Sequence, residues 1–195
     1  MSKKVVGNLE RGFIFVVSAP AGTGKSTLVK KLVEEFPDAI EESRSCTTRK
    51  PRPREDEYDF LSVEDFEKKL TNDEFLEHAK VFSNYYGTLK SEVSRIQESG
   101  KHVILVIDTQ GALKIKNEVE ATFIFINPPS FEVLKERLFK RRTESDEIIE
   151  ERLTWAKREM EFGKEYDYQL TNDDLEVSYQ VLRSIIIAEE YKKRV

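Results

Sequence analysis

The chain has 195 residues, enough for one compact domain with small inserts, and its 38% hydrophobic and 35% charged residues fit a core under a heavily solvated surface. A net charge of −5 excludes bulk attraction to nucleic acid or to an anionic membrane, so any anion must be met by local Arg and Lys clusters. The lone cysteine, Cys46, excludes an internal disulfide and suits a reducing cytosol, while residues 1–10 have no apolar stretch that reads as a signal peptide or anchor.

Residues 13–17 are a short apolar run rich in β-branched side chains and read as a strand buried on both faces. A glycine-containing loop follows, then a helix over 26–36 with Leu28, Leu32, Val33 and Phe36 on one face. The stretch 43–87 breaks the pattern. It offers strand-like pieces near 58–61 and 75–82, with a helix over 63–70 between them, opened by Ser62 and Asp65 at capping-box spacing. It reads as an inserted lobe outside the main sheet. A helix over 90–98, closed by Gly100, leads to buried strands at 103–107 and 122–126 around a helical segment at 110–117. Strands alternating with helices predict a parallel sheet covered on both faces. After Pro128 and Pro129 come a helix ending near Arg141 and a charged segment at 140–147. A long helix follows, with Ile149, Leu153, Ala156 and Met160 in register. A short strand at 168–171 and a closing helix at 175–191 complete the chain.

The loop Ala19-Pro20-Ala21-Gly22-Thr23-Gly24-Lys25-Ser26, followed by Thr27, fits the second half of the phosphate-loop pattern G-x-x-x-x-G-K-[ST]. Ala19 stands where the first glycine would be. Successive backbone N–H groups and a helix start cradle phosphate oxygens. Lys25 brings charge to the β- and γ-phosphates, and the Ser26 hydroxyl suits magnesium. A mere glycine turn before a helix would need neither the Lys-Ser pair nor the buried strand upstream.

Ser45-Cys46-Thr47-Thr48-Arg49-Lys50-Pro51-Arg52 resembles the S-x-T-T-R-x-P-R signature of guanylate kinases. Glu77, Asn84-Tyr85-Tyr86-Gly87-Thr88, Ile107-Asp108, Gln110-Gly111 and Asn172-Asp173-Asp174 extend the likeness in order, from about 13 to 190. The resemblance implies phosphoryl transfer from ATP to GMP, and to dGMP as well, with Mg2+ beside ATP. It implies an α/β fold: a three-layer P-loop NTPase core with a parallel sheet, a small mixed α/β GMP-binding lobe and a helical lid. On that template the domain covers 11–190, with core segments 11–43, 90–136 and 153–190, GMP-binding lobe 44–89, lid 137–152 and N-terminal tail 1–10.

The chemistry agrees. Arg49 and Arg52 can clamp a nucleotide phosphate by charge-assisted bonds, and the resemblance adds the hydroxyls of Tyr58 and Tyr86. A carboxylate such as Glu77 can accept both N–H groups on the guanine edge while Ser45 and Thr88 donate to its carbonyl, a pattern adenine lacks. Singly, each residue also reads as surface or packing; Tyr85 and Tyr86 are an example. Asp108 closes a buried strand, where a carboxylate reaches a ligand at the sheet's carboxyl edge. The resemblance sends Arg137, Arg141 and Arg152 from the lid to the ATP side and Asn172 to adenine, although Asn172 also suits a cap for the following helix.

Three departures stand out. Val106 replaces the first Asp of the usual D-x-D-x-Q-G, so metal binding would rest on Ser26, ATP oxygens and water. Arg54 replaces a glycine in a loop about three residues shorter than usual, and Arg142 replaces a lid glycine. A kinase for another acceptor would not require Ser45, Glu77 and Thr88. A non-catalytic scaffold module would typically lose Lys25. A P-loop GTPase would need an N-K-x-D motif, which is missing. The expectation is a cytoplasmic enzyme whose partners are ATP and GMP, with neither nucleic acid nor membrane involved and no obligatory protein partner.

Overall fold

A computed structural model describes residues 4–51, 58–81, 83–141 and 146–193. The main sheet has five strands: β1 (Ile14–Ser18), β2 (Ile40–Glu42), β7 (His102–Val106), β8 (Ala121–Asn127) and β9 (Tyr168–Thr171). All pair in parallel, in the order β2-β7-β1-β8-β9. The side-chain alternation of each strand feeds two cores. Phe15, Val17, Ile104, Ile124 and Ile126 face α1 (Lys25–Glu35) and α7 (Leu175–Tyr191). Ile14, Val16, Val103, Leu105, Phe123 and Phe125 face α3 (Lys90–Glu98) and α4 (Thr109–Ile115). This is the expected three-layer α/β core, and it explains the continuous apolar runs. The edge strand β2 was not foreseen, because two of its three residues are glutamates.

The inserted lobe is a second sheet, in the order β4-β3-β6-β5. It comprises β3 (Ser45–Thr47), β4 (Tyr58–Phe60), β5 (Phe75–Val81) and β6 (Asn84–Leu89), with α2 (Val63–Thr71) on one face. The Ser62 hydroxyl accepts from Asp65 N–H at 3.0 Å, as its spacing predicted. The strand expected at 75–82 is one half of the β5–β6 hairpin. Phe66 stacks on Phe75 and Tyr85 beside Cys46, giving the lobe its own small core.

The third unit packs α5 (Phe131–Arg141) against α6 (Asp146–Phe162) through Leu134, Leu138, Ile149, Leu153 and Ala156. A 3-10 turn, Gly163–Glu165, leads into β9.

Residues 4–8, read as a tail, are docked. Val6 is buried, and the Glu190 carboxylate accepts from Gly7 N (2.6 Å), Asn8 N (3.1 Å) and Asn8 Nδ2 (2.9 Å). The same carboxylate meets His102 Nε2 at 2.8 Å. Phe13 N–H donates to His102 Nδ1, so the proton of the neutral ring sits on Nε2 and points to Glu190. No helix among the described residues is long and apolar enough to cross a membrane.

Candidate active site

The phosphate loop runs from the carboxyl end of the central strand β1 into α1. Gly22 and Gly24 take φ values of +88° and +95°, which side chains rarely adopt. Gly24 is the N-cap of α1 and brings no capping side chain, and the first turn has no acidic residue. The helix start therefore keeps its N–H groups and positive dipole end for an anion. Ala19 is buried under the loop, and Ala21 packs against α5 and α6. Pro20 O accepts from Thr23 N at 3.2 Å. Ser26 and Thr27 are exposed at the helix start.

Asn172 is held on the far side of this loop. It is 5% exposed, and its Nδ2 donates to Thr23 O at 2.7 Å. A β-carbon at Gly24 would sit 2.6 Å from that nitrogen. Arg137 Nη1 donates to Asn172 O at 3.2 Å. Gly22, Thr23, Gly24, Arg137, Asn172 and Leu175 line one groove. The alternative of Asn172 as a helix cap is corrected: Asp174 caps α7, accepting from Val177 N at 2.9 Å.

Lys25 is half-buried, and burial lowers its pKa against the opposing pull of Glu159, Asp108 and Glu42. Asp108 caps α4, with Oδ1 accepting from Gly111 N at 2.8 Å. Val106, two residues earlier, faces the α1 side of the sheet. Arg152 is half-buried on α6. Arg52, Arg54 and Arg142 lie outside the described residues, as does the side chain of Arg141.

Register assembles the second half of the site. Tyr58 pairs with Ser45, Ser45 with Thr88, and Thr88 with Glu77. Directly opposed residues share a face, so four expected site residues from four strands form one transverse row. Two positions on, Tyr86 pairs with Thr47 on the same face, and its ring meets Tyr58 edge-on at 5.9 Å. Tyr85 points the other way, into the lobe core. A β-bulge between Phe75 and Glu77 makes this possible: Phe75 enters the lobe core and Glu77, two residues later, enters the site.

Glu77 is 6% exposed, and Thr88 Oγ1 donates to its Oε1 at 2.7 Å. Thr88, expected to donate to a guanine carbonyl, thus spends its proton on Glu77. Burial pushes the Glu77 carboxyl up to about 7 despite that bond, and the charge of Asp108 pushes the same way. A β-carbon on Gly111 would collide with Glu77 Oε2, so this glycine lets α4 approach the carboxylate. The Arg49 guanidinium lies 5.5 Å from the Tyr58 ring centre and 6.0 Å from that of Phe60, with Nη1 donating to Lys50 O at 3.0 Å. Thr47, not foreseen, accepts from Arg49 N (3.2 Å) and donates to Tyr85 O (2.9 Å). The charge of Asp108 is felt by both Lys25 and Glu77, one in each half of the site.

Glu159 on α6 was missed as well. Burial pushes its carboxyl up to about 7 against the pull of Lys25 and Arg152. Its signal in the sequence was its place two helical turns after Arg152. No cluster of His, Cys, Asp and Glu among the described residues could hold a metal by itself. The exposed Ser26 hydroxyl at the loop's end fits a metal that keeps phosphate oxygens and water as its other ligands.

Residues 12–189 match the family model described as guanylate kinase. The chain is 53% identical over 189 residues to the guanylate kinase of Protochlamydia amoebophila, covering 95% of each. It is 49% identical over 182 residues to that of Chlamydia trachomatis serovar D, covering 92% of this chain and 89% of the relative. Among solved structures, the guanylate kinase of Anaplasma phagocytophilum superposes with a TM-score of 0.78 at 34% identity, over 95% of this chain and 89% of that one. The SH3-kinase fragment of tight junction protein 3 shares the fold, with a TM-score of 0.54 at 13% identity, over 96% of this chain and 60% of the fragment.

Proposed function

Because the chain belongs to the guanylate kinase family, and so transfers the γ-phosphoryl group of ATP to GMP, we propose that the transverse row of the lobe is its acceptor site and the phosphate loop its donor site. The observation that carries this is the Tyr58–Ser45–Thr88–Glu77 row, set against α4, with the charge of Asp108 felt by both Glu77 and Lys25.

In this reading Arg49, Arg52, Tyr58 and Tyr86 hold the GMP phosphate, with Thr47 fixing the backbone at Arg49. Ionised Glu77, oriented by the Thr88 hydroxyl, accepts the two guanine N–H donors, and Ser45 donates to the guanine carbonyl. Asp108 keeps α4 in place beside the base. The backbone of Ala19, Pro20, Ala21, Gly22, Thr23 and Gly24, with Lys25, Ser26 and Thr27, receives the ATP phosphates. Arg137, Arg141 and Arg152 bring positive charge from the lid side, and Asn172 meets adenine. Ser26, together with ATP oxygens and water, would hold Mg2+, which when bound would supply charge neutralisation for the ATP phosphates. Reaction then needs alignment and dryness rather than covalent help. Segment 44–89 closes on GMP and segment 137–152 closes on ATP, against the core formed by 11–43, 90–136 and 153–190. dGMP serves as a second acceptor, the enzyme works in the cytoplasm, and it needs no protein partner.

The test is an acceptor panel with ATP and magnesium. GMP turns over; AMP and UMP are poor. Equal rates on all three would overturn the assignment of Glu77 to the base, and no turnover would favour a binding module.

A further inference from the structure

The chain leaves the lobe sheet just before Arg49. In β3 the register pairs Ser45 with Thr88, Cys46 with Gly87 and Thr47 with Tyr86. The next antiparallel pair would be Thr48 with Tyr85, and only half of it is made by main chain. Thr48 N donates to Tyr85 O at 3.1 Å. The return bond, from Tyr85 N, goes to the Thr48 hydroxyl at 2.9 Å. A regular ladder would send it to a main-chain carbonyl. The hydroxyl keeps the last rung closed while the backbone turns away.

Thr47 works at the same point. It is fully buried. Its hydroxyl donates to Tyr85 O at 2.9 Å and accepts from Arg49 N at 3.2 Å. Its carbonyl accepts from Leu61 N at 2.9 Å, just past β4. Thr47 thus touches each segment that delivers Arg49, Tyr58 and Tyr86. Tyr85 is itself anchored, with its ring stacked on Phe66 in the lobe core at 5.3 Å. Contacts therefore run from the lobe core through Tyr85 and two hydroxyls to Arg49. Valine has nearly the shape of threonine and suits a strand as well. It would leave the Arg49 and Tyr85 N–H groups without these acceptors.

We propose that Thr47 and Thr48 are positioning residues for the acceptor phosphate: their hydroxyls splice the chain at Arg49 to Tyr85 and so set the spacing of Arg49 and Tyr86 across the strands. The proposal rests on the reading that Arg49 grips the GMP phosphate. Sheet register fixes Tyr86, which lies within the ladder, but not Arg49, which follows its last rung.

The readout is steady-state kinetics with GMP and ATP varied in turn. Thr48→Val and Thr47→Val each lower kcat/KM for GMP about tenfold, while KM for ATP stays within about twofold of wild type. Thr48→Ser and Thr47→Ser keep the hydroxyl and recover to within about threefold of wild type. Combination with Arg49→Met is the decisive measurement. Because the hydroxyls act through Arg49, the losses from Arg49→Met and Thr48→Val do not multiply in the double variant. Multiplying losses overturn the proposal, and so does a serine variant as poor as its valine counterpart. An unchanged kcat/KM for GMP in folded Thr48→Val overturns it too. If the buried Thr47→Val fails to fold, the half-buried Thr48 decides by the same measurements. Arg49→Met alone tests the reading beneath: undiminished GMP turnover there would sink Arg49 as a phosphate ligand. Loss in Arg49→Met with none in Thr48→Val refutes the splice and keeps the acceptor site.

Discussion

At Lys25 and Glu77 the chemistry depends on charges kept partly out of water. Lys25→Ala removes the one side-chain cation that the loop itself supplies, so kcat falls on the order of a thousandfold. Circular dichroism and Tm stay near wild type, because Lys25 makes no described ion pair that holds the fold. Glu77 carries a pH signature. Its pKa is raised to about 7 in the folded protein, above the ordinary carboxylate value of 4.5, so the folded state binds the proton more tightly than the unfolded chain. Its effect on stability therefore turns unfavourable as pH rises from 4.5 to 7. Glu77→Gln gains Tm at pH 8, on the order of 5 °C, and gains little at pH 4. Only the ionised form accepts two guanine donors, so kcat/KM for GMP declines below about pH 7. In Glu77→Gln that value is lower by roughly 100-fold, and the acid limb due to residue 77 is gone. The residue types were legible in the sequence, since Glu77, Arg49 and Lys25 sit at motif spacings. Their charge states were not, because burial is made by segments far apart in the chain: Glu77 depends on Gly111, and Lys25 on Glu159.

Elements place these groups with backbone devices that composition hides. The buried strands β1, β7 and β8 were readable because two-sided burial leaves an unbroken apolar run. β2 and β3 were not, because three residues with Glu, Ser or Thr at most positions carry no period. The bulge in β5 is also silent in the sequence, where Phe75 and Glu77 would share a face of a regular strand. Tyr85 and Tyr86, adjacent on β6, take opposite faces by ordinary strand alternation, Tyr85 to the lobe core and Tyr86 to the site. Gly111 is the sharpest test at this scale. Alanine is the better helix former by about 1 kcal/mol, yet here its β-carbon strikes Glu77. Gly111→Ala raises KM for GMP at least about tenfold and leaves KM for ATP within about twofold. Equal effects on both substrates would show that α4 itself had moved.

The whole molecule is fastened where its two chain ends meet. Burial pushes Glu190 up, but its hydrogen bonds from Gly7, Asn8 and His102 outweigh this and hold it below the usual value of 4.5. A depressed carboxyl stabilises the fold above that value, and the contribution fades as pH falls through the folded pKa. Glu190→Gln loses about 2 kcal/mol at pH 7, and its stability curve is flatter than wild type below pH 4.5. Urea unfolding across pH 3–7 measures both. Identical curves would show that the docked segment adds nothing. Turnover at 25 °C is unchanged, because the fastening lies on the opposite edge of the sheet strands from the phosphate loop: His102 begins β7, and Asp108 follows its end.

That fastening leaves the ends of the described chain as neighbours, with Tyr191 Oη on Lys4 O at 3.3 Å. The order in which the segments are strung together is therefore separable from the shape they make. A short linker from residue 193 to residue 4 would close the backbone into a ring. The ring could be reopened at Asp73, in the exposed turn between α2 and β5, where the chain already adopts a positive φ of 56°. Such a circular permutant would begin with the strand that carries Glu77 and would keep the phosphate loop, the acceptor row and α6 intact.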